Sequence, residues 1–170
     1  MTECIICDEQ AKLLPNIHID GDRFKCPRCG AFEISGSLVA VLRQKGTEYT
    51  ADQVAKLSSW VRYQNMRGEI PCKMLTVADY DYITAMPIPE ISDRINRLLA
   101  FVAGCQPSLG QTFNMKDPAL IAVSYSKNGV EVDRLLHSLI ESCLIAKTDR
   151  EDHAEITPAG YMRCEELHAR

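Results

Sequence analysis

Two Cys-x-x-Cys pairs constrain this chain more than any other feature of its 170 residues: Cys4-Ile5-Ile6-Cys7 and, eighteen residues later, Cys26-Pro27-Arg28-Cys29. Two residues between cysteines let a tight turn aim both sulfurs at one ion, and two such turns supply the four thiolates of a tetrahedral site. In the second turn Pro27 presets a turn dihedral, and Gly30 tolerates the left-handed backbone that lets amides point back at sulfur. The first turn has Asp8 in the equivalent place, a residue that visits that conformation less freely. The spacing predicts a zinc ribbon over residues 1–35, with Cys4, Cys7, Cys26 and Cys29 holding one structural Zn2+. Four sulfurs leave no position for water or substrate, so Lewis-acid chemistry is not expected.

Iron held by the same four thiolates is the competing reading, because the Cys-Pro-x-Cys-Gly turn resembles that of rubredoxins. His18 is a substitute ligand on paper, but four sulfurs already complete the shell, and a solvent-facing histidine is the simpler reading. Between the pairs, Asn16–Asp20 and Arg23–Lys25 alternate around Asp20-Gly21-Asp22 and predict a β-hairpin. Ala31–Ile34 continues the alternation as a third strand.

Composition places the chain among ordinary soluble proteins: 46% hydrophobic, 25% charged and a net charge of −4. The longest apolar run, Leu98 to Cys105, is too short to span a bilayer. Met1 to Gln10 lacks the basic-then-apolar order of a signal peptide, so a cytoplasmic location is expected. Paired cysteine spacing without an export signal suits a metal better than a disulfide framework. The acidic balance weighs against broad nucleic-acid binding, which depends on neutralising phosphates.

Residues 36–90 are expected to be a helical connector. Leu38–Arg43 begins a short apolar helix or turn that Lys45-Gly46-Thr47 breaks. Thr50 and Gln53 fit a capping box before the stripe Val54, Leu57, Trp60, Val61, with Gly68 as the stop. From Gly36 to Gly68, Arg43, Lys45, Lys56, Arg62 and Arg67 face only Glu48 and Asp52. They form a candidate surface for phosphate or an acidic partner, although a solvated helix face with Trp60 in the core explains the same residues. Thr76–Thr84 makes another short helix. Pro87 and Pro89 then rule out helix and mark an ordered connector or a domain boundary.

Residues 91–170 are expected to form a winged helix-turn-helix. Ile91, Ile95, Leu98, Leu99, Val102 and Cys105 recur at helical spacing. Asp117-Pro118 starts a second helix, Asn128-Gly129 turns the chain, and Val132, Leu135, Leu136, Leu139 and Ile140 stripe a third. Leu144–Lys147 and Ala154–Ile156 read as the strands of a wing, and Thr157-Pro158 opens a closing helix. The whole chain is thus an α+β protein, mostly α. In DNA-reading domains of this plan the third helix enters the major groove. Here that helix carries Glu131, Asp133 and Glu141 against Arg134 alone, and the wing sets Lys147 and Arg150 among Asp149, Glu151, Asp152 and Glu155. Such acids repel phosphates, so a protein contact made by Glu131, Asp133, Arg134, Lys147 and Arg150 is favoured over DNA, which stays open as the alternative.

The segment Ile156-Thr157-Pro158-Ala159-Gly160 resembles the Ile-Thr-x-x-Gly wing exit of winged helices. Together with the two cysteine turns and Leu57–Arg62, the layout resembles bacterial anti-phage defence proteins. In these, a zinc ribbon and a winged-helix-like region precede a TIR-like or deoxyribosyltransferase-like effector domain. The resemblance implies a regulatory half whose effector would begin near Arg170, so that a protein partner or a missing effector domain is expected. No enzyme is expected in this chain: Cys72, Cys105, Cys143 and Cys164 pair with none of its four histidines in a recognisable signature, and no phosphate-cradling glycine loop occurs. Cys105 and Cys143 are expected on the apolar sides of their helices. The oligomeric state is left open.

Overall fold

The computed structural model describes residues 2–16, 20–45, 49–67, 74–106 and 108–169, with the side chains of Lys45 and His168 excepted. The centre of the expected 16–20 strand with His18, the stop at Gly68, and Cys72 lie outside the described residues. The chain forms two compact units, Met1–Ile88 and Pro89–Arg170.

The first unit opens with four antiparallel strands in sequential order: β1 (Thr2–Glu3), β2 (Gln10–Leu14), β3 (Gly21–Cys26) and β4 (Gly30–Ser35). The hairpin differs from the expected one. Gly21 is not in the turn but pairs with Ser35, and β2 runs Lys12 opposite Lys25 and Leu13 opposite Phe24. The reason is steric: a Cβ at position 21 would lie 3.2 Å from the Ile34 carbonyl oxygen and from Glu33 and Met74 side chains. The glycine serves close packing here, and the reversal falls upstream.

Three helices complete this unit: α1 (Gly36–Lys45), α2 (Ala51–Met66) and α3 (Val77–Ala85). Thr50 caps α2 and Thr76 caps α3, each in a full capping box, with Gln53 and Asp79 reaching back. These helices do not behave as a connector. Residues 1–35 have too little apolar surface to close a core alone. Phe24 and Phe32, with ring centroids 5.3 Å apart, join Leu38, Leu57, Val61, Leu75, Tyr80 and Ile83 in one cluster. Trp60 packs half-buried against it. The outer edge of β4 is sealed from α2 and from the extended residue Leu75 ahead of α3. The Asn65 carboxamide pairs with both main-chain groups of Ala31, and Leu75 bonds Glu33 and Ser35 through its backbone. An edge strand covered this way cannot template pairing with another chain.

The second unit contains α4 (Ile91–Cys105), β5 (Thr112–Asn114), α5 (Pro118–Val123), α6 (Gly129–Glu141), β6 (Ile145–Lys147), β7 (His153–Ile156) and α7 (Pro158–His168). Asp117 and Thr157 cap α5 and α7 ahead of a proline. Asn128 caps α6 and Gly129 is its first residue, so this pair starts the helix where a turn was expected. The two expected strands are joined by β5 in a three-stranded sheet ordered β5-β7-β6. Leu98, Leu99, Val102, Leu120, Val132, Leu136, Leu139 and Ile156 fill the core.

Just beyond helices α5 and α6 lie residues with positive φ, Tyr125 at 54° and Cys143 at 56°. Each is followed by the paired backbone bonds of a Schellman motif: Ser126 to Ile121 with Tyr125 to Ala122, and Leu144 to Leu139 with Cys143 to Ile140. Cys143 therefore lies past its helix, exposed, and not on the apolar side. Cys105, at the end of α4, is exposed as well. Gly160 explains the Ile-Thr-x-x-Gly pattern. Its position would place a Cβ 2.1 Å from the Leu144 carbonyl oxygen. The Thr157 hydroxyl meanwhile donates 2.7 Å to Cys143 and caps the Gly160 amide.

Candidate metal centre

The two cysteine turns close on each other. Cys4 opens the first, where its amide bonds Glu9 and its carbonyl receives the Asp8 amide. Asp8 adopts φ of 60° and Gly30 adopts 93°, so both turns use the same left-handed step after their second cysteine. The four sulfurs lie within 4.8 Å of one another. Cys4 and Cys29 are 3.9 Å apart, Cys7 and Cys26 3.6 Å, and Cys7 and Cys29 3.5 Å, sulfur to sulfur. A tetrahedron with sulfurs about 2.3 Å from a central ion has edges of about 3.8 Å, whereas a disulfide needs about 2.05 Å. The spacing therefore fits one ion among four thiolates and excludes pairing, and all four cysteines are free. These residues could hold one metal ion, and the donor set suits zinc.

The four thiols act on one another in opposite directions: Cys4 and Cys26 are lowered, whereas Cys7, hydrogen-bonded to Cys26, and Cys29 are raised. Hydrogen bonds from the Cys29, Cys4 and Cys7 side chains hold the Cys26 thiol far below its ordinary range, and the Cys29 amide adds another at 3.4 Å. Burial pushes Cys29 the other way. A metal needs all four deprotonated, so loading would release protons. Four thiolates around a divalent ion leave a net charge of −2. Arg28, 5% exposed, lies inside the second turn. Arg62 on α2 donates its Nε to the Arg28 carbonyl at 3.0 Å and a terminal nitrogen to the Pro27 carbonyl.

The expected basic surface is dispersed by such contacts. Arg62 belongs to the cysteine turn. Lys56 donates to the Thr84 carbonyl at 2.7 Å and ties α2 to α3. Arg67 caps α2 with its guanidinium 5.8 Å from the Tyr63 ring centre. Arg43 is exposed on α1, and the Lys45 side chain lies outside the described residues.

In the second unit the acids of α6 are also committed internally. Glu131 meets Arg94 at 2.7 Å and accepts from the Lys127 amide. Asp133 meets Lys116 at 2.8 Å. Arg94 is 7% exposed and binds the Ser124 carbonyl and Ser126 hydroxyl, while Arg97 covers the Tyr125 ring at 5.3 Å. Two arginines of α4 thus hold the turn between α5 and α6. An open groove of about 520 Å³ runs along α6. Met115, Val130 and Ile140 line it, with Asp133, Arg134 and Lys147 among its charged residues. Arg150 is exposed in the β6–β7 turn.

Sequence reasoning passed over Asn65, Arg28 and Arg94. Two signals were available. Asn65 stands four residues after the buried Val61, and Arg94 falls between Ile91, Ile95 and Leu98, on the apolar stripe of α4. A polar group on such a stripe needs partners inside the fold. Cys164 is buried, and burial pushes its thiol up, as for a core cysteine. No helix among the described residues is long and apolar enough to cross a membrane. Comparison with protein-family models, characterised proteins and solved structures gives no match.

Proposed function

We propose that this chain is a non-catalytic regulatory or adaptor module, with a zinc-braced ribbon in its first unit and a winged helix in its second that recognises a protein. The observation that carries this reading is the make-up of the α6 groove. An apolar lining of Met115, Val130 and Ile140 beside charges of both signs suits a peptide segment with an apolar anchor. A phosphate backbone would call for one sign. Val130 is 64% exposed on the helix where partner contact is proposed. The zinc would be structural, and the site would be cytoplasmic. The likeness to anti-phage defence proteins makes an effector domain the expected partner.

DNA binding is the second reading, and one observation favours it. Glu131 and Asp133 are neutralised by Arg94 and Lys116, so the repulsion they would exert on phosphate is smaller than the sequence suggests. Val130→Glu and Arg134→Glu separate the two. Both sites are exposed, so zinc content and thermal midpoint should stay unchanged. On the protein reading both variants lose the native partner, and the wild type binds duplex DNA no better than about 10⁻⁴–10⁻⁶ M at physiological salt. Tight wild-type duplex binding with a steep salt dependence, lost in Arg134→Glu and Lys147→Glu, would overturn it.

A further inference from the structure

We propose that Asn65 and Arg62 are positioning residues of the metal site, and that they make metal binding and the seating of α2 a single event. The inference rests on the metal centre read above. From α2, Asn65 and Arg62 both reach main-chain atoms of the second cysteine turn and the residue after it. Asn65 Oδ1 accepts from the Ala31 amide at 2.9 Å, and its Nδ2 donates to the Ala31 carbonyl at 2.9 Å and to the Val61 carbonyl at 2.8 Å. Arg62 takes the carbonyls of Pro27 and Arg28. Between these two grips lie Cys29 and Gly30.

Gly30 has a φ of 93°, and a Cβ there would meet the Asn65 carboxamide carbon at 2.9 Å. The turn is therefore left-handed at Gly30 and pressed against Asn65 at the same point. This geometry fixes where the Cys29 sulfur points and where the Cys29 amide bonds Cys26. The carboxamide replaces a missing strand partner, so the turn keeps its shape only while α2 is docked. Arg62 contributes a positive charge beside a site of net charge −2. Groups that orient ligands from the next shell typically change metal affinity 10–100-fold.

The test uses the full chain, stripped of metal and titrated with Zn2+ against a competing chelator, with Co2+ absorption as a check of tetrahedral thiolate geometry. Wild type should bind one equivalent; if it binds none, the metal reading itself fails, and the positioning claim falls with it. Asn65→Ala and Arg62→Ala should weaken zinc about 10–100-fold. Arg62→Lys, which keeps the charge and one donor, should lose less. Met66→Ala, an exposed neighbour on the same helix, should bind like wild type. Hydrogen exchange supplies the second readout. In wild type the α2 amides should exchange faster without zinc, and in Asn65→Ala their protection should no longer depend on zinc. Zinc affinity within about threefold of wild type in both alanine variants would overturn the proposal, as would an equal loss in Met66→Ala. Should Asn65→Ala fail to fold in saturating zinc, Arg62→Lys decides: a measurable loss supports the positioning role and wild-type affinity contradicts it.

Discussion

Arg94 and Glu131, thirty-seven positions apart in sequence, meet at 2.7 Å beneath the turn that joins α5 to α6. The guanidinium is buried, and its other partners are the Ser124 carbonyl and the Ser126 hydroxyl. Glu131 thus holds the turn in place, although as a sequence feature it reads as a surface acid. Glu131→Ala should destabilise the second unit by about 1.5–3 kcal/mol, the range for hydrogen bonds to charged groups. Denaturant unfolding of the full chain checks this, with Asp133→Ala as a comparison in which only an exposed pair is lost and a smaller effect is expected. Equal effects would show that Arg94 does not depend on Glu131.

The same pair makes a pH prediction. Burial raises the Glu131 carboxyl, but the Lys127 amide and the Arg94 guanidinium outweigh it and hold it below the usual range. A depressed carboxyl contributes stability that is present above its unfolded value, about 4.3, and is lost as pH falls through its folded value. The stability difference between wild type and Glu131→Gln should be constant from pH 7 down to about 5 and shrink below that. A difference that grows on acidification would contradict the assignment.

Gly160→Ala should be among the most damaging single-methyl changes in the chain. The added carbon would lie 2.1 Å from the Leu144 carbonyl oxygen, which is backbone and bonded to Thr157. Overpacking of this kind typically costs about 1–3 kcal/mol and occasionally more. A thermal midpoint within error of wild type would mean that α7 does not pack on the α6–β6 turn.

Leu136 is 2% exposed in the core of the second unit. Leu136→Ala should cost about 2–5 kcal/mol, as for other buried leucines. An unchanged unfolding midpoint would show that α6 is rotated away from this core.

Much of this was legible in the sequence because it is local. Thr50 with Gln53, Asp117 with Pro118 and Thr157 with Pro158 announce helix starts within a few residues, and each starts one. The four cysteines were legible through spacing. What sequence reading missed depends on distant partners. Asp20-Gly21 looks like a turn until Gly21 is seen to pair with Ser35 and to be crowded by Ile34 and Met74. Strand β5 has only Thr112–Asn114, too short to show alternation, and exists through its pairing with β7. Asn65, Arg62 and Lys56 resemble a solvated helix face because their partners are main-chain carbonyls and amides, which carry no sequence signal.

The central claim is that the first unit folds around one zinc held by Cys4, Cys7, Cys26 and Cys29. Metal analysis of the purified chain and of Cys26→Ser, after dialysis against a mild chelator, tests it most directly. Wild type should retain one equivalent of zinc and no visible colour. Cys26→Ser should retain none and lose the folded signals of the first unit, because metal binding supplies folding free energy to so small a ribbon. The second unit, with its own core, should still melt cooperatively. One tightly held equivalent of zinc in Cys26→Ser, or a coloured iron centre in wild type, would contradict the account.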